Sequence, residues 1–386
     1  MASSQRRRVL VVTGSRAEFG LLRSVMDAVR GHRGLELLTC VAGSHLLSPA
    51  RTEREVAAAY RVDARVVMQK AGPGGRVADS RAVARGIAGF ADAYEKLRPD
   101  WVVVLGDRIE AFAAASCASI AGLAVCHIHG GDRAEGIADE AMRHAVSKMA
   151  HLHCAATEQS ARRLIRMGED PKRVVVTGSP GIDGLRAVKP VDDEMMEELG
   201  FPGSVVLVHP SGRGASEDRA AAVAALSVAW GLGTTPLVLM PNADAGREEI
   251  VKVYRGVEAG GFVRVREHLP RYVFVGLLKR LAREGGVLIG NSSAGLIEAA
   301  AIGLRVVNIG PRQNGRERAG NVVEIGAVND AAVMRVVRTL ERVMGGGKRL
   351  KGSDRFGDGR AGVRIAGLLA RVDPRGAGFV VKRNAY

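Results

Sequence analysis

Short apolar runs rich in β-branched residues alternate with longer amphipathic stretches along almost the whole chain. The amphipathic stretches at 77–97 and 138–150 have the length and spacing of helices. This alternation is typical of a parallel sheet covered by helices, and it restricts the chain to an α/β fold. In the first half, the predicted strands are residues 9–13, 36–42, 101–105, 124–128, 152–156 and 174–177.

The pattern pauses at residues 185–193, where Lys189-Pro190-Val191-Asp192-Asp193 is typical of a linker. It restarts with predicted strands at 205–208, 237–240, 262–266, 287–289 and 306–309. A chain of 386 residues is long for a single core, so the two halves predict two domains. We expect two Rossmann-like parallel-sheet domains that face each other across a cleft, at 1–187 and 188–370, with a C-terminal tail at 371–386. Ligands of such sheets bind at the carboxyl ends of the strands.

Composition narrows the classes of partner. No apolar run approaches the roughly 20 residues that span a bilayer, and the run at 9–13 is too short for a signal peptide. We therefore expect a cytoplasmic protein without membrane association. The net charge of +15 suits an anionic partner, but aromatic residues make up only 4%, which leaves few rings to stack on bases. Nucleic acid is therefore not expected. The four cysteines form no CxxC pair and predict buried thiols.

Two turns that follow predicted strands carry charged residues. Gly14-Ser15-Arg16-Ala17-Glu18-Phe19-Gly20 precedes a helix and would suit a phosphate, although an ordinary strand-to-helix turn has the same pattern. It is neither the GxGxxG fingerprint nor a Walker loop. Gly106-Asp107-Arg108 places an acid and an arginine side by side at the end of a strand. This pair suits acid/base chemistry and anion binding, or a structural ion pair that caps the next helix.

The densest group of titratable residues follows the strand at 124–128. It comprises His127, His129, Asp132, Glu135, Asp139, Glu140, Arg143 and His144. Alternation along a strand predicts that His127 and His129 point to the same side. The four-residue spacing pairs Asp139 with Arg143, and Glu140 with His144, on shared faces of a helix. This group predicts acid/base chemistry; hydrated surface charge and a zinc site of the HxH type are the alternatives.

The second half has its own polar turns. His209 ends a strand in Val208-His209-Pro210-Ser211, and the next strand ends in Pro241-Asn242-Ala243-Asp244. Gly290-Asn291-Ser292-Ser293-Ala294-Gly295 offers hydroxyls and free N–H groups at a helix N-terminus, which is typical of a phosphate cradle. Glu298 follows on the predicted helix, where it could accept both hydroxyls of a ribose. Cations for a pyrophosphate follow the next strand, at Arg312 and Arg316.

These motifs occur together and in order from about Val9 to Leu369. They are Thr13-Gly14-Ser15-Arg16-Ala17-Glu18-Phe19-Gly20, Gly106-Asp107-Arg108, His127-Ile128-His129-Gly130-Gly131-Asp132, Arg143-His144 with Lys148, Pro241-Asn242 with Asp244-Ala245-Gly246, Gly290-Asn291-Ser292-Ser293, Arg312-Gln313 with Gly315-Arg316-Glu317, and Gly357-Asp358-Gly359. The set resembles the hydrolysing UDP-N-acetylglucosamine 2-epimerases. The resemblance implies a GT-B-like fold and conversion of a UDP-sugar and water into UDP and the sugar inverted at carbon 2. The implied route loses the C2 proton and UDP to give a 2-acetamidoglucal, to which water then adds.

The resemblance also implies roles for particular residues. The candidate catalytic residues are Asp107, His129, Asp139 and His209. The candidate substrate-binding residues are Arg16, Glu18, Arg108, Glu140, Arg143, His144, Asn242, His268, Ser292, Ser293, Glu298 and Arg312. The resemblance implies no metal and no other cofactor. The expected partner is the small-molecule UDP-sugar, and a homo-oligomer, either a dimer or a tetramer, is expected.

Some positions depart from the family pattern. His129 stands where some members carry a carboxylate, and Asp132 stands for a more usual glutamate. The substituent at carbon 4 of the sugar therefore stays open between UDP-GlcNAc and a UDP-2,4-diacetamido-sugar. Three alternative functions remain: a non-hydrolysing 2-epimerase, a GT-B glycosyltransferase that uses a UDP-sugar donor, and a non-catalytic UDP-sugar sensor.

Overall fold

A computed structural model describes residues 6–48, 51–70, 75–134, 140–241, 246–326, 328–345 and 349–385. The chain divides into two compact units. Unit 1 comprises Met1–Asp132, Asp139–Asp183 and Gly357–Tyr386, and unit 2 comprises Arg133–Ala138 and Gly184–Phe356. The expectation of an α/β chain with two Rossmann-like sheets is confirmed. No helix within the described ranges is long and apolar enough to cross a membrane.

Unit 1 is built on a parallel sheet of seven strands among the described residues, in the order β3-β2-β1-β4-β5-β6-β7. The strands are β1 Arg7–Thr13, β2 Leu35–Ala42, β3 Ala64–Val66, β4 Trp101–Leu105, β5 Ala124–Ile128, β6 Leu152–Ala155 and β7 Val174–Val176. The helices before the linker are α1 Arg16–Gly31, α2 Glu53–Ala59, α3 Arg76–Leu97, α4 Ile109–Ile120, α5 Glu140–Met149 and α6 Glu158–Arg166. The strand order reverses between β1 and β4, so the turns after these two strands lie at the switch point where such sheets bind ligands.

Unit 2 repeats this plan with six described strands, in the order β10-β9-β8-β11-β12-β13. They are β8 Ser204–Leu207, β9 Pro236–Leu239, β10 Arg264–Arg266, β11 Val287–Gly290, β12 Arg305–Ile309 and β13 Val322–Ile325. The helices are α7 Asp193–Leu199, α8 Ala215–Gly231, α9 Arg247–Ala259, α10 Arg271–Glu284, α11 Ser293–Leu296, α12 Glu298–Ile302 and α13 Asp330–Gly345. Here the order reverses between β8 and β11, which places His209 and Asn291 at the second switch point.

The helices bury one apolar face each against these sheets. Helix α1 begins after Ser15, whose side chain accepts the N–H of Glu18, and its buried apolar residues recur at helical spacing. They are Phe19, Leu22, Val25, Met26 and Val29. The strands are apolar because both faces of a parallel sheet are covered. All four cysteines are free and buried, as expected.

The C-terminal helix α14, Ala361–Arg371, packs on α1 within unit 1. The sequence-based ranges assigned residues 188–370 to the second domain and 371–386 to a tail, whereas the structure returns Gly357–Tyr386 to unit 1. The carboxylate of Asp183 accepts the N–H groups of Ala361 and Gly362 at 3.0 and 2.7 Å and so caps this helix. A Cβ at Gly362 would lie 2.4 Å from the carbonyl oxygen of Ser24, so glycine permits the close approach of the two helices.

Residues after α14 lie along the edge of the first sheet where strands begin. Phe379 packs edge-on against Trp101, the first residue of β4, with ring centroids 5.5 Å apart. Lys382 forms an ion pair with Glu169 in the loop before β7. Glu169 is 2% exposed and also pairs with Lys148 at 2.8 Å and His153 at 2.9 Å. We call these four residues the Glu169 cluster: Lys148, His153, Glu169 and Lys382.

Candidate functional site

The turn after β1 is shaped from inside by two buried glutamates. Gly14 donates its N–H to Oε2 of Glu18 at 2.7 Å. Glu110, in the first turn of α4, is fully buried behind this turn, and a Cβ at Gly14 would lie 2.5 Å from its side chain. Burial raises the pKa of Glu18 to about 8; the charge of Glu110 adds to the rise, which the Gly14 N–H and Arg108 only partly offset. Glu18 is therefore a neutral carboxyl group at pH 7.

The two arginines predicted to hold the nucleotide lie near this turn. Arg108 precedes α4, and its Nε lies 3.4 Å from Oε2 of Glu110. Arg16, in the first turn of α1, pairs with Glu55 at 3.5 Å. Both guanidinium groups are partly exposed at the first switch point. They are therefore accessible to an anion at the carboxyl edge of the first sheet.

Four of the predicted residues form one network on α5 and the turn after β4. Arg143 is 1% exposed, and its guanidinium contacts the carboxylates of both Asp107 and Glu140. The carboxylate of Glu140 also lies 3.2 Å from Nε2 of His144. The side chains of Asp107 and Glu140 remain 19% and 22% exposed. One buried cation thus holds two accessible carboxylates, an arrangement suited to proton transfer.

His129 belongs to a second network in the same unit. Its Nδ1 lies 2.8 Å from Oδ2 of Asp132, and its Nε2 lies 2.9 Å from Oγ of Ser179. The other carboxylate oxygen of Asp132 accepts a hydrogen bond from the hydroxyl of Ser160 at 2.7 Å. The side chains of His129, Asp132 and Ser179 are all buried. This network ties the residues after β5 to the turn after β7.

The prediction that His127 and His129 point to the same side assumed a strand that includes both residues, and His129 lies outside the strand. Strand β5 ends at Ile128, and His129 has a φ of +65°, so the alternation of a strand does not extend to it. His127 is fully buried between Ser147 and the carbonyl oxygen of Gly106, and burial lowers its pKa to about 3. Within the described ranges, no group of three or more histidine, cysteine, aspartate or glutamate side chains is placed to hold a metal ion.

Two predicted residues, Asp139 and Asn242, lie outside the described residues. The predicted pairing of Asp139 with Arg143 is therefore not described. The pairing of Glu140 with His144 is confirmed.

At the second switch point, Asn291 holds the backbone of His209. Its Oδ1 accepts the N–H of His209 at 2.7 Å and its Nδ2 donates to the carbonyl oxygen of the same residue at 2.8 Å. Arg312 donates to the carbonyl oxygens of Pro210 and Asn291, each at 3.1 Å. These bonds fix the turns after β8 and β11 next to each other. They also show that Arg312 orders the backbone of this turn.

The predicted cradle begins with Ser292, whose hydroxyl accepts the N–H of Ala294 as the N-cap of α11. Ser293 is the first residue of this four-residue helix. Glu298 starts a separate helix, α12, and pairs with Arg271 at 3.3 Å. His268 is exposed after β10. The cradle residues therefore belong to several short elements rather than to one long helix.

Sequence reasoning gave no role to Glu110 or Ser179. Glu110 fills the space beside Gly14 and Gly43, where an added Cβ would lie 2.5 and 2.1 Å from it. Each glycine follows a predicted strand, which was an available signal for a buried group behind the turns. Ser179 follows the predicted strand at 174–177 and also lies at a carboxyl end. Position after a strand was therefore a better guide than residue type alone.

The chain is similar to known proteins along nearly its whole length. A family model described as UDP-N-acetylglucosamine 2-epimerase matches residues 27–370. A Legionella pneumophila protein named UDP-N,N'-diacetylbacillosamine 2-epimerase (hydrolyzing) is 33% identical, covering 98% of this chain and 100% of the relative. A Neisseria meningitidis protein named UDP-N-acetylglucosamine 2-epimerase is 30% identical, covering 82% of this chain and 83% of that protein.

Solved structures share the fold at lower identity. The structure of UDP-GlcNAc 2-epimerase from Neisseria meningitidis bound to UDP-GlcNAc superposes with a TM-score of 0.79 at 20% identity, covering 95% of this chain and 100% of the other. The Methanocaldococcus jannaschii UDP-GlcNAc 2-epimerase in complex with UDP-GlcNAc and UDP gives a TM-score of 0.77 at 15% identity, with the same coverage.

Proposed function

The chain belongs to the UDP-N-acetylglucosamine 2-epimerase family, and we propose that it is a hydrolysing 2-epimerase of a UDP-linked 2-acetamido sugar. The reaction consumes one water and releases UDP and the free sugar with carbon 2 inverted. The observation that carries the proposal is the network in which buried Arg143 holds the accessible carboxylates of Asp107 and Glu140.

The position of this network supports chemistry rather than stability alone. Asp107 follows β4 at the first switch point, where parallel sheets bind their ligands. Arg16 and Arg108 are partly exposed at the same switch point and suit the anionic part of a nucleotide sugar. A sensor would need the cations but not a surplus of accessible carboxylates, so the network favours an enzyme.

The proposed mechanism couples two bond-breaking steps. The C2 proton of the sugar is not acidic, so its removal must accompany the departure of UDP from C1, which gives a neutral 2-acetamidoglucal. Asp107 and Glu140 are the described carboxylates able to accept or return that proton, with Arg143 holding both in place. Arginine side chains stabilise the charge that develops on the departing pyrophosphate. Water then adds to C1 while C2 is protonated on the opposite face.

The sugar is proposed to carry a second acetamido group at carbon 4. The relative named as a diacetylbacillosamine 2-epimerase matches the full chain at 33% identity, and a Campylobacter jejuni relative with a related name matches 84% of the chain at 28%. UDP-GlcNAc is the second candidate, supported by the Neisseria relative.

The test compares both substrates in deuterated water. We expect free UDP to appear in step with a free 2-epimeric sugar that carries deuterium at C2, with the 4-acetamido substrate giving the higher kcat/KM. A product that remains attached to UDP would indicate a non-hydrolysing epimerase. Hydrogen retained at C2 would contradict the elimination, and transfer of the sugar to an added acceptor would indicate a glycosyltransferase. A chelator should leave the rate unchanged; loss of activity that zinc restores would indicate metal-assisted hydrolysis.

A further inference from the structure

A continuous chain of hydrogen bonds runs through the buried side chains around His129. Thr157 donates its hydroxyl to Oγ of Ser160 at 3.1 Å, and Ser160 donates to Oδ1 of Asp132 at 2.7 Å. The second carboxylate oxygen of Asp132 faces Nδ1 of His129 at 2.8 Å. On the far side of the ring, Nε2 faces the hydroxyl of Ser179 at 2.9 Å. All of these residues lie in unit 1.

The donors and acceptors along this chain constrain where the imidazole carries hydrogen. An ionised carboxylate only accepts, so the nitrogen that faces an ionised Asp132 carries hydrogen. Oγ of Ser179 accepts the N–H of Gly181 at 3.1 Å, and its hydroxyl hydrogen can be donated to Nε2 of His129. This pattern of hydrogen bonds matches an imidazole with hydrogen on Nδ1 and the lone pair on Nε2.

The backbone adds a second constraint on this ring. His129 has a φ of +65°, in the left-handed region that a residue with a Cβ rarely occupies. The next residues, Gly130 and Gly131, follow in a tight turn in which a Cβ at Gly131 would lie 2.2 Å from the carbonyl oxygen of Ser160. A disfavoured backbone conformation persists only where the surroundings enforce it, and such positions concentrate at functional sites.

We propose that Asp132 and Ser179 are positioning residues that hold His129 as a base with its lone pair on Nε2, in a relay of the order Asp132–His129–Ser179. The proposal rests on the proposed function, because it assigns this relay to the epimerase reaction. Asp132 selects the tautomer and balances the charge that appears when the hydroxyl of Ser179 passes its hydrogen to Nε2 and takes in its place the proton that leaves C2 of the sugar. Ser179 directs Nε2 and keeps it from turning away.

The tautomer is measurable in the free protein, without substrate. Long-range proton–nitrogen NMR of the histidine rings distinguishes a nitrogen with hydrogen from one with a lone pair, and His129→Gln identifies the His129 signals among those of the 9 histidines. We expect hydrogen on Nδ1 in the wild type and in Ser179→Ala. We expect Asp132→Asn to change the tautomer, because an amide can also donate. A wild-type ring with hydrogen on Nε2 would overturn the relay whatever the activity.

Turnover tests the role of the relay. Asp132→Asn should lower kcat by about 10²–10⁴-fold with little change in KM, the range of a general acid–base contribution. Ser179→Ala should lower kcat by about tenfold, as expected for one lost hydrogen bond, and Ser179→Thr should restore part of the loss because it keeps the hydroxyl.

The matched control is Ser204→Ala in unit 2, which removes another buried hydroxyl, bonded to Thr234 at 2.8 Å. If Ser179→Ala and Ser204→Ala lower kcat equally, the relay has no catalytic role. A wild-type protein that turns over neither UDP-sugar would contradict the proposed function instead, while the NMR result would still decide the tautomer.

Discussion

Two buried glutamates lie at opposite ends of the strands of the first sheet, and their pKa values are shifted in opposite directions. Glu18 lies in the first turn of α1, just after β1 and where strands end, and its pKa is raised to about 8. Glu169 precedes β7, on the edge where strands begin, and its pKa is lowered to about 2. Both side chains are almost fully buried, so burial alone does not decide the direction of the shift.

The neighbours of each carboxyl group decide the direction of its pKa shift. Burial raises the pKa of Glu18, and another buried acid, Glu110, lies close by. Burial would also raise the pKa of Glu169, but hydrogen bonds from His153, Lys148 and Lys382 outweigh it. At the edge where strands end, which we call the acidic edge, Glu18 thus lies beside a second buried acid, whereas at the edge where strands begin Glu169 is bonded to two lysines and a histidine. The first arrangement suits proton transfer and the second suits stability.

The largest expected effect tests the acidic edge. Asp107→Asn keeps the shape of the side chain but removes its charge, so we expect kcat to fall by about 10²–10⁴-fold while UDP still binds. The matched control is Asp100→Asn, at the other end of β4, where the carboxylate pairs with Arg375. Calorimetry with UDP and steady-state kinetics check both variants. If Asp100→Asn lowers kcat as much as Asp107→Asn does, the two edges do not differ in role.

The next effect concerns the Glu169 cluster. Glu169→Gln leaves Lys148 and Lys382 without their shared carboxylate. Breaking a fully buried pair costs about 3–5 kcal/mol of unfolding free energy, and because both lysines are partly exposed we expect a loss at or below the low end of this range. Urea unfolding followed by Trp101 fluorescence, in a Trp230→Phe background, reports on unit 1. We expect kcat, measured well below the unfolding temperature, to change little. A loss of kcat without a loss of stability would contradict the stabilising role assigned to the edge where strands begin.

Glu169→Gln should also remove a pH dependence of the unfolding free energy at low pH. The pKa of Glu169 is about 2 in the folded protein and near its ordinary value of 4.5 when the chain is unfolded. Between these values the unfolded chain binds more protons, so stability falls as pH falls. The difference in stability between wild type and Glu169→Gln should be constant above about pH 5 and shrink from pH 4.5 towards pH 2. A difference that persists to pH 2 would contradict the lowered pKa.

The sequence predicted the repeated parts of the fold and missed those fixed by tertiary contacts. Eleven strands were predicted near their observed positions because buried parallel strands are continuous apolar runs. Strands β3 and β13 were missed; both are edge strands, of three and four residues, and each contains one charged residue. The return of α14 to unit 1 depends on Asp183 and Gly362, which carry no signal in the local pattern.

In the candidate site, too, some features could be predicted from the local sequence and others depend on tertiary contacts. The Asp107 and Arg143 motifs could be identified because each has a charged residue after a strand or on a helix face. Their direct contact depends on how α5 packs against α4 and β5, which spacing does not define. The argument for His129 failed because it extended the alternation of a strand one residue beyond Ile128, where the strand was predicted to end and does end.

The last expected effect is at Glu18 and tests the acidic edge by its sign. The folded pKa of about 8 exceeds the ordinary value of 4.5, so between these values the folded protein binds more protons than the unfolded chain. Wild-type stability should therefore fall as pH rises from 4.5 to 8, and Glu18→Gln should remove this fall, since glutamine does not titrate.

Glutamine keeps an oxygen that accepts the N–H of Gly14, so the turn after β1 should persist in this variant. Glu18→Ala, which lacks that oxygen, is the control for loss of the turn. Unfolding free energies at pH 5 and pH 8 give the comparison: the stability of Glu18→Gln relative to wild type should increase with pH, opposite in sign to the titration of Glu169. Parallel stability curves for wild type and Glu18→Gln would show that Glu18 is ionised in the folded protein, because a carboxylate with the same acidity in both states adds no pH dependence. Burial beside Glu110 would then not govern its protonation, and the contrast between the two edges would rest on the Asp107 network alone.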